Sequence, residues 1–400
     1  MAQTREVVIV GAARTAIGSF GGKFKGVEPS TLGIVATEAA LKRAGVEADE
    51  VGHAVIGNVI PNDPKDCYIA RRIAVGAGIP VERPAMTVNR LCGSGAQAVV
   101  SAAQMIMLGD VDVALAGGAE SMSGAPYAIE AARFGQKMGD IKTTDWLTGA
   151  LSDPFGHGHM GVTAENVAER YQIARERQDA FACESHARAS SARSEGRFVE
   201  QIAPVELQTR KGPVVIDQDE HIREGATLAD FEKLRPVFKK DGRVTAGNAS
   251  GINDGAGAIV LMEAGRAVAT DRKPLARIVA YGHAGVEPEV MGIGPIKAVP
   301  NALAKAGLTM ADIDVIESNE AFASQAIAVL DELGLDPAKT NPNGGAIALG
   351  HPIGATGAIL HVKVLHELIR TGGRYGLVTM CIGGGQGIAV ILERLSDTWH

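Results

Sequence analysis

The chain has 400 residues, too many for one ordinary domain, so two or three units with buried cores are expected. Gly is abundant at 50 residues, aromatics make up only 4%, and 46% of the chain is hydrophobic, which describes tightly turning α/β material and excludes disorder. A net charge of -7 with dispersed acids excludes a nucleic-acid partner, and no run of eighteen apolar residues marks a membrane span.

The opening MAQTREVVIVGAAR has only a brief apolar run before Arg14, too short for a secretory leader, so a cytoplasmic address is expected. VVIVG (7–11) predicts a buried strand, STLGIVATEAALKRAG (30–45) a helix with a Gly stop, and VGHAVIGNV (51–59) a second strand. LCGSGAQAVVSAAQMIMLGD (91–110) is a Gly-rich turn opening a small-residue helix, and VDVALAGGAE (111–120) is another strand. This alternation predicts a largely parallel sheet with helices on its faces.

The same plan returns near the C-terminus. ALKRAGVEADEVGHAVIGN (40–58) lies beside ALAKAGLTMADIDVIESN (302–319), so that Gly45 matches Gly307 and Asn58 falls close to Asn319. LGHPIGATGAILHVKVLHELIRTGG (349–373) repeats the Gly turn and helix, and GRYGLVTMCIGGG echoes the closing strand. Two copies of one α/β unit are the simplest account. Between them, the helical and more charged stretch 121–248 reads as an excursion from one copy, of a size that shapes a ligand site. The expected division is 1–120 with 249–272, an inserted loop domain 121–248, and 273–400.

The four cysteines, Cys67, Cys92, Cys183 and Cys381, lack metal-ligand spacing, so no metal and no permanently bound cofactor are expected. Cys92, at a strand-to-helix turn between NRL and GSG, meets the partial positive charge of a helix N-terminus, which lowers a thiol pKa and holds an oxyanion. His351 occupies the matching turn of the second copy, where pseudo-symmetric packing would bring it to Cys92 as a base; the plainer reading is a core histidine capping a turn. Cys381, at the end of the last strand before GGG, is an acid/base, a disulfide partner of Cys92, or packing. Asn319 either holds a water or donates toward an oxyanion, or it caps the following helix.

Taken together, NRLCGSGAQA, ESNEAFA, GGAIALGHPIGATG and MCIGGGQG, in this order and at these intervals, resemble the thiolase family. TAGNASGINDGAGA and GHMGVTAENVAERY resemble further landmarks of that family, and the likeness runs from about Arg5 to Leu395. The resemblance implies a five-layered α-β-α-β-α fold of two like halves plus a coenzyme-A-binding loop domain, assembled as a homodimer or a dimer of dimers. It implies reversible Claisen condensation of acetyl-CoA with a short acyl-CoA, and the reverse thiolysis, by a ping-pong route.

In that scheme Cys92 is acylated, His351 activates it, and Cys381 moves the α-carbon proton. Asn319 positions a water that forms one oxyanion hole with His351, and the backbone amides of Cys92 and Gly383 form the other. Leu151, His159, Met160, Arg223, Ala249 and Ser250 fall at the coenzyme A site, with Phe322 closing the pocket. An exposed Arg such as Arg223 is otherwise a solvated surface residue. The chain departs from the family at Ala96, where Leu is common, a change expected to slacken packing behind the nucleophile and to bear on acyl choice. The rivals are a ketoacyl-synthase-like condensing enzyme, against which the second cysteine argues, and a non-catalytic acyl-CoA-binding relative.

Overall fold

The computed structural model describes residues 5–395. Nine strands form the main path of one ten-stranded sheet. In chain order they are β1 (Val7–Arg14), β2 (His53–Gly57), β3 (Ala85–Val88), β4 (Val113–Ser121), β5 (Asn253–Glu263), β6 (Ala276–Gly285), β7 (Val315–Ser318), β8 (Tyr375–Ile382) and β9 (Gln386–Arg394). Their spatial order is β7-β8-β9-β6-β1-β5-β4-β2-β3, and the two-residue strand Gly18–Ser19 pairs with β5.

The sheet is mixed, which corrects the expectation of a largely parallel one. Only β2–β3, β2–β4 and β7–β8 run parallel among its pairs. The glycine hairpin after Ile382 turns β9 back against β8, and β5 enters between β1 and β4 after the long excursion, so these contacts are antiparallel. Alternation of strands and helices fixes the parallel pairs of each unit but is silent on strands that return by other routes.

Five layers follow from what each helix covers. α1 (Pro29–Ala44) packs outside the β1–β5–β4 sheet, and α5 (Gly294–Ala306) outside β6, β9 and β8. Both end on a left-handed glycine, Gly45 at φ 60 and Gly307 at φ 66, as the duplicated sequence requires. α2 (Ser94–Leu108) and α7 (Thr356–Thr371) lie side by side between the two half-sheets. α2 is apolar nearly all round, and Leu91–Leu108 reaches a mean hydropathy of 1.4, enough by composition to cross a membrane. Here that apolarity serves a helix enclosed between the two half-sheets, in a core that includes Val99, Ile106, Val364, Leu365 and Met380.

The two inner helices cross at backbone distance. A Cβ on Gly95 would stand 2.6 Å from the Ala358 nitrogen, and one on Gly357 would stand 2.2 Å from the Ala96 nitrogen. Only glycine allows this approach, and it aligns the N-termini of both helices at one end of the fold. From the excursion, α3 (Met160–Arg170) and α4 (Arg175–Ser194) pack on α6 (Ala323–Leu333) of the second half, closing over those N-termini.

Candidate active site

At the shared helix-end face lies a cavity of about 650 Å³. Cys92 and His351 both line it, together with Leu151, His159, Met160, Ala249, Ser250 and Phe322. Eight of the twelve residues singled out in the sequence therefore meet on one surface.

The turn that presents Cys92 is held by its own side chains. Leu91 takes φ 46, left-handed for a branched residue, at a cost of about 1–3 kcal/mol. Asn89 Oδ1 accepts from the Leu91 N–H at 2.9 Å, and Ser94 Oγ accepts from the Arg90 N–H at 2.9 Å while donating to the Leu91 carbonyl at 2.6 Å. Such strain at the residue before a thiol fixes the direction in which the sulfur points.

Burial pushes the Cys92 thiol up to about 11, against the pull of the Gly383 and Cys92 backbone N–H groups. This reverses the expectation of a lowered pKa. The helix end does offer its amides, but the apolar neighbours Val59, Ile60, Met122 and Ile353 remove more water than those amides replace. A thiol of this kind stays protonated at neutral pH and needs a base.

His351 lines the same cavity. Its Nδ1 lies 2.7 Å from Thr356 Oγ1, whose own proton goes to the Pro352 carbonyl at 2.9 Å. Nδ1 therefore carries the ring proton and Nε2 the lone pair. Burial holds the imidazole down to about 4, so it is neutral at ordinary pH, with the Nε2 lone pair free. The His351 N–H is anchored on Asn253 Oδ1 at 2.9 Å. Asn253 and Thr356 escaped the sequence reading, since neither is more than an Asn at a strand start or a Thr at a helix start.

Asn319 sits 3.4 Å from His351 Nε2 through Nδ2, and its Oδ1, buried, finds no partner among the described residues. Cys381 is fully buried and packs with Met160, Met291, Ala321 and Phe322, directly behind the cavity wall. It feels the charge of Cys92, and burial drives its thiol well above the ordinary range. Both cysteines are free thiols. Gly383 follows Cys381 in the glycine turn and directs its N–H at the Cys92 sulfur.

Arg223 stands apart. It is exposed and does not line the cavity, although His221, two residues earlier, does. His221 and Phe238 are lining residues that the sequence reading missed. Phe238 stacks on His159 at 4.8 Å and meets Phe322 edge-on at 6.3 Å, forming an aromatic wall. Ala96, by contrast, lies against Gly357 at the helix crossing and lines no part of the cavity. Its position is one of packing behind the nucleophile turn, so a bearing on acyl choice would act through that packing.

Comparison with known proteins agrees with this arrangement. Residues 7–265 match the family described as thiolase, N-terminal domain, and residues 272–394 match thiolase, C-terminal domain. The chain is 61% identical over 393 residues to beta-ketothiolase BktB of Cupriavidus necator, covering 98% of this chain and 100% of that one. It is 52% identical to an acetyl-CoA acetyltransferase of Rhizobium meliloti, over 97% of this chain and 99% of its relative. The crystal structure of human mitochondrial 3-ketoacyl-CoA thiolase superposes with a TM-score of 0.96 at 46% identity, over 98% and 99% of the two chains. The same human enzyme in complex with CoA gives 0.95 over 98% of each. On both halves and over nearly its full length, the chain belongs to the thiolase family.

Proposed function

We propose that Cys92 carries the acyl group in a reversible, coenzyme-A-dependent thiolase reaction on short 3-ketoacyl thioesters. The observation that supports this most directly is Cys92 and His351 on one cavity surface, with Cys381 packed behind its wall.

In thiolysis the Cys92 sulfur attacks the C3 carbonyl of the substrate as its proton passes to His351 Nε2. The developing oxyanion lies against the Cys92 and Gly383 N–H groups. The C2–C3 bond then breaks, and its electrons pass into the enolate of acetyl-CoA. The enolate oxygen is met by the His351 Nε2–H and a water on Asn319, and the Cys381 thiol delivers its proton to C2. The products of this half-reaction are acetyl-CoA and acyl-Cys92. A second coenzyme A attacks the acyl group, its proton restores Cys381, and His351 returns its proton to Cys92. Condensation runs the same steps backward. Its direction is set by concentrations, since the residues serve both.

A thiol as deeply buried as Cys381 has a strongly basic conjugate base, which suits proton exchange with carbon. Leu151, His159, Met160, Ala249, Ser250 and Phe322 are assigned to the acyl and pantetheine parts of the substrate, and exposed Arg223 to its phosphates. Residues 121–248 are assigned as the coenzyme-A-binding loop domain, with 1–120 and 249–272 as one half and 273–400 as the other. Because both Cys92 and Cys381 must stay reduced, a reducing compartment such as the cytoplasm is part of the proposal. So is a homodimer or a dimer of dimers, supported by the unpaired outer edge of β3, where Met86 is exposed beside the Cys92 turn.

The test is thiolysis of 3-ketoacyl-CoAs from four to eight carbons, with mass spectrometry of trapped acyl-Cys92. Acetoacetyl-CoA should be a good substrate, with five- and six-carbon substrates also cleaved. No cleavage at any length, or undiminished activity in Cys92→Ser, would sink the mechanism.

A further inference from the structure

One fully buried titratable side chain beside the site has no part in these steps. Glu120 lies near the end of β4. Its oxygens accept from the backbone N–H groups of Val59 (3.0 Å), Ile60 (3.1 Å) and Gly354 (2.8 Å), and from Asn58 Nδ2 (3.1 Å). All four partners are donors, an arrangement made for a carboxylate. Burial and the nearby Asp254 raise its pKa, and the three backbone N–H groups oppose that rise by holding the charged form.

The partners come from both sides of the site. Gly354 belongs to the turn between His351 and α7, and a Cβ there would stand 2.4 Å from Glu120 Oε2. Val59 and Ile60 belong to the loop after β2, which packs against Leu91 and Cys92. The carboxylate is thus the shared anchor of the His351 turn and of the wall behind Cys92.

Its place in the duplication is unusual. The displacement along the chain that carries the register pair Gly57–Gly118 onto Ser318–Thr379 also carries Asn58 onto Asn319 and Glu120 onto Cys381. Where the second half packs a thiol behind the cavity wall, the first half has a carboxylate turned inward on four donors.

We propose that Glu120 is a positioning residue for the thiolase reaction, acting through Gly354, Val59, Ile60 and Asn58 to fix the His351 turn relative to Cys92. The proposal rests on the roles given to Cys92 and His351 above. It predicts lost rate without lost binding, because no ligated atom of Glu120 reaches the cavity surface.

The experiment is pre-steady-state acetylation of Cys92 by acetyl-CoA in the full-length enzyme, read as burst amplitude and burst rate, alongside kcat and KM for acetoacetyl-CoA. Glu120→Gln presents an amide nitrogen to a donor and should acetylate in full, but about 10- to 100-fold more slowly, with KM within about twofold. Glu120→Asp should recover part of the rate, and Asn58→Ala should lose a smaller part in the same way. A role confined to stability would lower the amplitude and leave the rate per acylated site unchanged, which would overturn the proposal. Should Glu120→Gln not fold, Asn58→Ala acetylating at the wild-type rate would overturn it equally. Wild-type enzyme that never acetylates Cys92 would overturn the reading of the site and this proposal with it.

Discussion

At matching strand ends the two halves of the molecule carry opposite chemistry. Asn58 and Glu120 in the first are closed on each other by a hydrogen bond, whereas in the second Cys381 packs behind the cavity wall and Asn319 meets His351 with its Oδ1 unpartnered among the described residues. The inner helices differ in the same sense. Ser94 matches Thr356 in the helices and Gly57 matches Ser318 in the strands, so Lys363 and Glu317 of the second half stand where the first half has Ser101 and Ile56. Lys363 Nζ meets Glu317 at 2.6 Å and the Gly344 carbonyl at 2.8 Å, all deeply buried. The duplicated frame places two helix ends together, and the departures from symmetry decide which end reacts and which supports it.

The largest effect that would break this comparison is loss of chemistry at one end alone. Cys381→Ser should lower kcat by about 10²–10⁴-fold while Cys92 still accepts an acyl group. Failure of Cys92 to acylate in that variant would show the two thiols acting as one unit. Next in size is the buried ion pair. Lys363→Ser leaves the Glu317 carboxylate, already pushed up to about 7 by burial, without its partner and should cost about 3–5 kcal/mol in urea unfolding. Adding Glu317→Ile rebuilds the pair found in the first half and should recover most of that loss. If the double variant stays as unstable as the single one, the halves are not interchangeable in this layer.

Both halves and the main site were legible in the sequence because a repeat exposes itself by order. The helix stops at Gly45 and Gly307, the matched Asn58 and Asn319, and the two glycine turns all fell where the fold has them. Sheet direction was not legible, since β5 and β9 return by routes that strand–helix alternation does not encode. The Cys92 pKa was misread because a helix end is visible in a motif while the water excluded by Val59, Ile60 and Ile353 is a property of the packed site. Asn253, Thr356, His221 and Phe238 had no local signal, since each acts through a partner that the chain order does not mark. The partner of Ala96, the backbone of Gly357, was hidden for the same reason. Ala96→Leu should therefore cost about 1–3 kcal/mol through overpacking and leave the acyl-length profile unchanged. A profile shifted toward other chain lengths would show that the packing at this crossing reaches the acyl site.

The smallest expected effect concerns protons. His361 of α7 stands where α2 has Val99, and both are fully buried. Nδ1 of His361 donates to the Gly357 carbonyl at 2.7 Å, leaving Nε2 without a partner among the described residues, and burial holds the ring down to about 4. The unfolded chain takes up a proton nearer 6.5, so this histidine leaves folding undisturbed above about that pH and weakens it as the pH falls toward 4. The buried carboxylates Glu120 and Glu317, whose pKa values are raised, titrate in the opposite sense and would mask the trend in the wild type alone. Comparison with His361→Val, which imports the residue of the first half, cancels them. The variant should lie within about 1 kcal/mol of wild type at about pH 7.5, and its relative stability should improve by about 1 kcal/mol at about pH 5.5. An unchanged gap at the two pH values would mean that His361 is protonated as easily inside the protein as outside, and that the second half has no acid sensitivity of this origin that the first half lacks.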